Sequence, residues 1–450
     1  MPGLNVASQF QADTSNYIAK KTLPLTRRQL VVYQFGEPLT LPKGFGVNYT
    51  ATRYNRLPLP QAPLGEGVPP IGETPTISQV TGTAQQWGDS VQITDVTELT
   101  IYHPVFKKSC ELAGLQVAET FERNTFNALM AGTQVNYVNS RGSRASLVSG
   151  DVLDTQTVLR TSAALKTLGA PRFLGDEQTD TKYPLGEGDQ GRGSKSPRGM
   201  PHYTGVCHTL IVADWSQNST VILARTYSDM NRLYNYEIGE WGGTRWCDSN
   251  MVPSFTGVAA IQGTAGTAGS LATNAGYQII VTASDTTNQY ESRIYQVSNA
   301  ISVTGPNGSI SVVLPALANF TFNVYLGTTS SPTALALSAA GPTVGPLAGQ
   351  ATQLAPSQTV ILTGIGVTQV PPAAPATGLT VYPSFLFGQG AYAQLKLDDV
   401  KWFYLTDADK FDKLNQIRVV GWKAFYGTMI LNQQFMARIE STSAFSAAFG

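Results

Sequence analysis

The chain has 450 residues, of which only 13% are charged, with thirty acidic and thirty basic side chains and a formal net charge of zero. That balance argues against a general nucleic-acid binder, which carries a basic excess or stripe. The 43 glycines and 26 prolines favour many turns and a β-rich architecture, and the length leaves room for two or three domains.

The opening residues, MPGLNVASQFQADTSNYIAKK, lack the apolar core of a secretory signal. No run approaches the roughly 18 apolar residues of a membrane span. Cys110, Cys207 and Cys247 are odd in number and widely spread, which fits free thiols in a reducing compartment. The expectation is synthesis in a cytoplasm and no membrane partner.

Between Gly44 and Asp95 the chain makes a long polar excursion. Phe45, Val47, Tyr49 and Ala51 alternate with smaller or polar residues on an outgoing limb, and Trp87, Val91 and Ile93 do so on a return limb over Gln86–Thr94. Such a period of two marks a half-buried strand. Between the limbs lie Pro58, Pro60, Pro63, Pro69, Pro70 and Pro75. Proline cannot donate to a ladder, so this tip stays out of a sheet interior. A limb of about a dozen residues reaches about 40 Å, too far to be covered by its own domain, so its burial partners are expected on another molecule. Lys43, Arg53 and Arg56 on the way out, Glu66 and Glu73 at the tip, and Asp89 and Asp95 on the return are either ordinary surface charge or complementary signs that set register between subunits.

A helix is expected from Pro104 to about Ala131, with Phe106, Cys110, Ala113, Val117 and Phe121 on one stripe. Lys108, Glu111, Glu119, Glu122 and Arg123 fall on the opposite side. A second helix follows Asp154 as N-cap, turns Val158, Leu159, Ala163 and Leu165 inward, and stops at Gly169 and Pro171. A Gly-rich loop (Leu185–Met200), a strand (His208–Ala213) and a helix around Ser219–Leu233 come next.

Residues 256–390 hold only three charged side chains, Asp285, Glu291 and Arg293. Short apolar runs bounded by turns (Tyr277–Ala283, Ser292–Val297, Ser309–Leu314, Phe320–Leu326, Thr359–Leu362) suggest a β-sandwich, and VPPAAPAT reads as a stiff return linker. Mixed, charged sequence then resumes, so this block reads as an insertion. Strands are expected at Val381–Phe387 and Ile417–Trp422, with a closing segment at Phe435–Ile439.

Catalytic furniture is sparse. The only histidines are His103, His202 and His208. His202, Cys207, His208 and Cys247 make a poor zinc set, because neighbours on a strand point to opposite faces and no CxxC or HxxxH anchor exists. Gly186-Glu-Gly-Asp-Gln-Gly191 has the letters of a dinucleotide loop, but no apolar strand precedes it and RGSKSPRG follows. It reads as a surface loop whose Arg192, Lys195 and Arg198 face solvent or a polyanion. The four Asn-X-Ser/Thr matches carry no weight without a secretory route. No catalytic residue, cofactor or metal is expected.

Five stretches, in this order, resemble the major capsid proteins of tailed bacteriophages with the Hong Kong 97 type fold, in the branch typified by coliphage N-four. They are TATRYNRLPLPQAPLGEGVPPIGETPTISQVTGTAQQWGDSVQITDV (50–96), PVFKKSCELAGLQVAETFERNTFNALMAG (104–132), YEIGEWGGTRWCDSN (236–250), VYPSFLFGQGAYAQLKL (381–397) and IRVVGWKAFYGTMILNQQFMARIES (417–441). The resemblance implies an α+β fold with an N-terminal arm (1–42), an extension-loop hairpin (43–98) and a body of peripheral and axial domains (99–255) with a spine helix (104–131). An inserted Ig/fibronectin-like all-β sandwich (256–380) and a return into the body (381–450) complete it. It implies a structural protein, not an enzyme, that assembles as hexameric and pentameric capsomers into an icosahedral shell. Portal, scaffold and decoration proteins, and packaged double-stranded DNA by weak non-specific contact, would be its partners. The insert would face outward, within reach of host-surface glycans. An adhesin-like carbohydrate-binding protein is the alternative; a hydrolase is disfavoured by the histidine inventory.

Overall fold

The computed structural model describes residues 30–55, 57–59, 63, 72–100, 105–173, 202–216, 222–223, 234, 236–285, 290–329, 331–343, 347–405, 414 and 416–446. The expected loop at Leu185–Met200, His103, Pro104 and most of the helix expected at Ser219–Leu233 lie outside the described residues.

In chain order, strands β1 (Glu37–Thr40), β2 (Asn48–Tyr54), β3 (Ile77–Thr83) and β4 (Gln85–Thr94) precede helices α1 (Asp95–Thr100) and α2 (Val105–Met130). Then come β5 (Val135–Tyr137), α3 (Thr155–Thr167), β6 (Tyr203–Cys207), α4 (Thr209–Trp215), β7 (Ile222–Leu223), β8 (Glu237–Trp241) and β9 (Thr244–Asp248). The charge-poor block begins with β10 (Phe255–Val258), β11 (Gly263–Leu271), β12 (Asn274–Asp285), β13 (Glu291–Tyr295) and β14 (Ile301–Val303). It continues with β15 (Gly308–Val313), β16 (Phe320–Gly327), β17 (Ala334–Leu337), β18 (Thr359–Leu362) and β19 (Gly364–Thr368). β20 (Thr380–Phe387), β21 (Tyr392–Leu405), β22 (Ile417–Ile430) and β23 (Met436–Ser441) close the chain. One sheet runs β1-β21-β22-β4, and a long one runs β19-β17-β16-β12-β13-β10-β20-β6-β9-β8-β7 with β14, β23 and β5 off its path. A three-stranded sheet, β11-β15-β18, and the hairpin β2-β3 complete the set.

The chain divides into two compact units. Among the described residues, the smaller comprises 88–100, 105–117, 401–405, 414 and 416–423. Its buried apolar residues among those described are Ile93, Ala113, Val117, Val420 and Trp422. Gln116 ties it together: its amide donates to Asp89 Oδ2 at 2.5 Å and its oxygen accepts from Trp422 Nε1 at 3.0 Å. Gly88 is required by close approach, since a Cβ there would lie 2.7 Å from the Trp422 carbonyl oxygen.

In the larger unit, the second half of α2 buries Phe126 and Leu129 against Val31, Val32, Phe35, Phe385 and Phe387. Glu122 belongs to this buried side, not to the solvent side expected from helical spacing. Its carboxylate caps the 3-10 turn Val32–Phe35, accepting the backbone N–H groups of Val31 (2.6 Å), Val32 (2.7 Å) and Tyr33 (3.0 Å). Those donors lack partners within a helix start, so the carboxyl and the turn satisfy each other. Burial pushes the Glu122 carboxyl up from its ordinary range, and the three N–H groups pull against that rise.

Helix α3 starts on Asp154, whose side chain accepts from Thr157 N–H, and buries Val158 and Leu165. Leu159 and Ala163 face outward, contrary to the periodicity reading. The segment expected as a strand at His208–Ala213 is helix α4. The imidazole of His208 accepts the Leu210 N–H at 3.2 Å as N-cap, and Ile211 and Trp215, four apart, go inward. This local cap outweighs a short apolar run that suits either structure. Trp215 meets Trp241 and Trp246 edge to face, with centroids at 4.7 and 4.6 Å. Gly205 makes room for them, because a Cβ there would lie 2.3 Å from the Trp246 ring.

The charge-poor block buries its own apolar cluster, from Leu271 through Ile279, Val281, Ile310, Phe322 and Val324 to Leu362. Sheet β11-β15-β18 lies on one side of that cluster, and β12, β14, β16 and β17 contribute from the other. The block is hydrogen-bonded into the rest of its unit, as β10 pairs with β13 in parallel and with β20 antiparallel. A buried ion cluster stands at this junction. Arg144 donates to both oxygens of Glu440 at 2.7 and 2.6 Å, Arg438 adds a third bond at 3.0 Å, and Arg144 also donates to the Ala373 carbonyl at 2.9 Å. The Arg144 guanidinium lies over the Phe255 ring at 4.1 Å. One side chain thus holds both stems of the block, Phe255 going out and Ala373 coming back.

Candidate assembly interface

The hairpin pairs β2 with β3 in register from Asn48↔Thr83 to Tyr54↔Ile77. The partner of the outgoing limb is therefore Ile77–Thr83, while Gln85–Thr94 joins the sheet beside β22. Period-two reading missed β3 because Ile77 and Val80 are three apart, and the strand is otherwise small and Thr-rich. One hairpin face packs down: Tyr49, Ala51 and Val80 rest on Leu41, Ala84, Leu395 and Met429. The other is a polar ladder, with the Thr50 and Thr81 hydroxyls 3.1 Å apart and Thr83 donating to Asn48 Oδ1 at 2.9 Å.

Toward the tip the hairpin leaves its core behind. Tyr54 is 71% exposed, Leu59 is 86% exposed, and Leu57 and Ile77 are exposed beside them. Tyr54 and Ile77 face each other at the last ladder position, so their side chains share one face. A ladder of two strands is marginal by itself, and exposed apolar groups clustered in this way are the kind of surface that marks an interaction site.

The charged and apolar residues singled out from the sequence are scattered over different environments. Phe45 is 82% exposed at the hairpin base, and Val47 and Val91 are also exposed. Tyr49 is half-buried in the core under the hairpin. Trp87 is half-buried, with the Arg123 guanidinium 5.9 Å from its ring centre. Ile93 is buried. Lys43 is 3.5 Å from Asp398, Arg53 donates to Ser78 Oγ at 3.3 Å, Asp89 accepts from Gln116, and Glu73 is exposed. Arg56 and Glu66 lie outside the described residues.

A second exposed apolar run was not anticipated. Trp402, Phe403, Tyr404 and Leu405 are consecutive and exposed at the end of β21 in the smaller unit, with Trp402 and Tyr404 stacked at 6.5 Å. The signal was present as the unbroken WFYL, since four bulky neighbours on a strand cover both faces at once.

His202 sits 3.1 Å from the Tyr234 hydroxyl, and His208 caps α4. Cys207 and Cys247 are buried, Cys110 is partly buried, and all three are free. Among the described residues no His, Cys, Asp or Glu group could hold a metal, and no helix is long and apolar enough to cross a membrane.

No protein-family model matches the chain, and no curated protein does. Solved structures match over nearly its whole length. The capsid of Ralstonia phage GP4 aligns with a TM-score of 0.50 at 9% identity, covering 96% of this chain and 96% of that one. The capsid of cyanophage P-SCSP1u aligns with a TM-score of 0.47 at 10% identity, covering 96% and 94%. The likeness to the Ralstonia phage capsid defines the architecture: this chain has a phage capsid protein fold, of mixed α+β composition.

Proposed function

We propose that this chain is a major capsid protein that self-assembles in many copies into the icosahedral shell of a tailed phage of the N-four-like branch. In this reading residues 43–98 are the extension loop, α2 is the spine, and 256–380 is an inserted sandwich displayed outward. The observation that carries it is the hairpin tip, where Tyr54, Leu57, Leu59 and Ile77 are exposed on a ladder whose inner face alone has a core. Each tip laid over a neighbour buries these groups, and many weak copies of one contact add up to a stable closed particle. Phe45 and Val47, exposed at the hairpin base, extend the same interface along the arm. The capsid fold of the Ralstonia phage protein supports the reading. Hexameric and pentameric capsomers, a portal, a scaffold, decoration proteins and loosely held double-stranded DNA are the partners that follow.

Sedimentation velocity and negative-stain microscopy of the purified chain test this. Shells, tubes or capsomers are expected; a monomer that persists at high concentration would sink it.

A further inference from the structure

A cavity of about 960 Å³ opens where the charge-poor block meets the body of the larger unit. That is the upper range of small-molecule sites. We propose that it is a binding site for a neutral, hydroxyl-rich ligand, a saccharide of one or two rings. The proposal rests on the displayed insert of the previous section only for its biological use, not for its chemistry.

The lining argues the ligand class. Asn127 and Gln353 bring carboxamides to the wall, beside Asn323 and Gln369, whose amides are engaged within the protein; a carboxamide both donates and accepts and so matches hydroxyls of either sense. The cationic side of the wall is already answered from within, because Arg144 and Arg438 both bond Glu440. An anion is therefore not needed to complete it.

Glu291 is the oriented acceptor. Thr282 (3.0 Å), Asn323 (2.5 Å) and Tyr325 (2.6 Å) all donate to its Oε1. No donor among the described residues reaches Oε2. A carboxylate fixed by one oxygen and open at the other is arranged to take a ligand hydroxyl, and a charged acceptor makes about twice the hydrogen bond of a neutral one. It is also one of the block's three charges, and the other two are close in the same ladder, Asp285 at the end of β12 and Arg293 in the middle of β13. A block otherwise stripped of charge keeps it here.

Gln353 adds an independent mark. Its backbone is held at φ 53, a left-handed conformation unusual for a side chain of this size. The strain is maintained by Asn323, whose side-chain oxygen accepts the Gln353 N–H at 3.0 Å and the Thr352 hydroxyl at 2.6 Å. Strained residues gather at ligand sites, and this one presents an exposed amide to the cavity.

The test is saturation-transfer NMR on the full chain with D-glucose, D-galactose, D-mannose and N-acetylglucosamine, followed by titration of any binder. At least one sugar should show transfer, and its affinity should fall about tenfold, or about 1.4 kcal/mol, in Gln353→Gly and in Glu291→Gln. Gln353→Gly relieves the positive φ, so it removes the amide without threatening the fold. No transfer from any of the four sugars, or binding that survives both variants, overturns the site. A variant lacking Leu57–Pro75 separates the two proposals: if shell formation stops while sugar binding persists, both stand. If the intact chain assembles but binds no sugar, the site alone is wrong.

Discussion

Val31 donates its backbone N–H to the buried carboxylate of Glu122 at 2.6 Å, across 91 positions of sequence. With Val32 and Tyr33 adding two more bonds, a single side chain on α2 fixes the point where the N-terminal segment joins the body. Glu122→Ala leaves three buried N–H groups without an acceptor. Each bond to a charged acceptor contributes about 1.5–3 kcal/mol, so a loss of at least about 3 kcal/mol is expected in chemical denaturation. Amide exchange at Val31–Tyr33 should quicken before that of the core strands. Glu122→Gln keeps an acceptor for Val31 and Val32 and should lose less.

The hairpin tip should be separable from the fold. Replacing Leu57–Pro75 by Asn-Gly keeps the β2-β3 ladder and removes most of the exposed apolar surface. The variant should remain soluble with unchanged thermal stability and stay a small species in sedimentation. Tyr54→Lys with Ile77→Lys should do the same without changing length. A deletion that unfolds the chain would show the tip to be part of its own core.

Arg144 is expected to be the costliest single truncation at the base of the charge-poor block. Arg144→Ala leaves Glu440 with only Arg438 and frees both Phe255 and the Ala373 carbonyl. Breaking a buried pair by removing one partner costs about 3–5 kcal/mol. Limited proteolysis should then cut within 369–378 sooner than in the parent protein.

Acid should act through His208. Burial lowers its imidazole from 6.5 to about 4, so the unfolded chain takes a proton near 6.5 while the folded chain refuses it until about 4. The resulting stabilisation is complete above pH 6.5 and drains away as pH falls toward 4, for a total of about 3 kcal/mol. Protonation also removes the acceptor that caps α4. His208→Asn keeps a capping oxygen and should flatten this part of the profile in denaturation midpoints taken from pH 7 to 4.5.

What could be read from the sequence was what repeats locally. α2 and the strands of the charge-poor block announced themselves through long or regular periods, and Asp154 marked the start of α3 by its own chemistry. The polar excursion pointed to an arm, but its pairing did not emerge, since β3 lacks the alternation that betrays β2. Glu122 was placed in solvent because helical spacing reports a face and not a partner 91 residues away. α4 was mistaken for a strand because seven residues are too few to tell one period from another, and the decisive cap is a histidine. Tyr54, Leu57, Leu59 and Ile77 were passed over because exposure is a property of the fold.

The Trp215–Trp241–Trp246 trio gives the molecule a built-in optical probe. Three indoles at edge-to-face distances couple electronically, so their near-ultraviolet circular dichroism is sensitive to small rotations of any one ring. All three are buried in one core, which contains no hairpin residue. That signal therefore reports whether the body is packed, while light scattering from the same cuvette reports whether copies have joined.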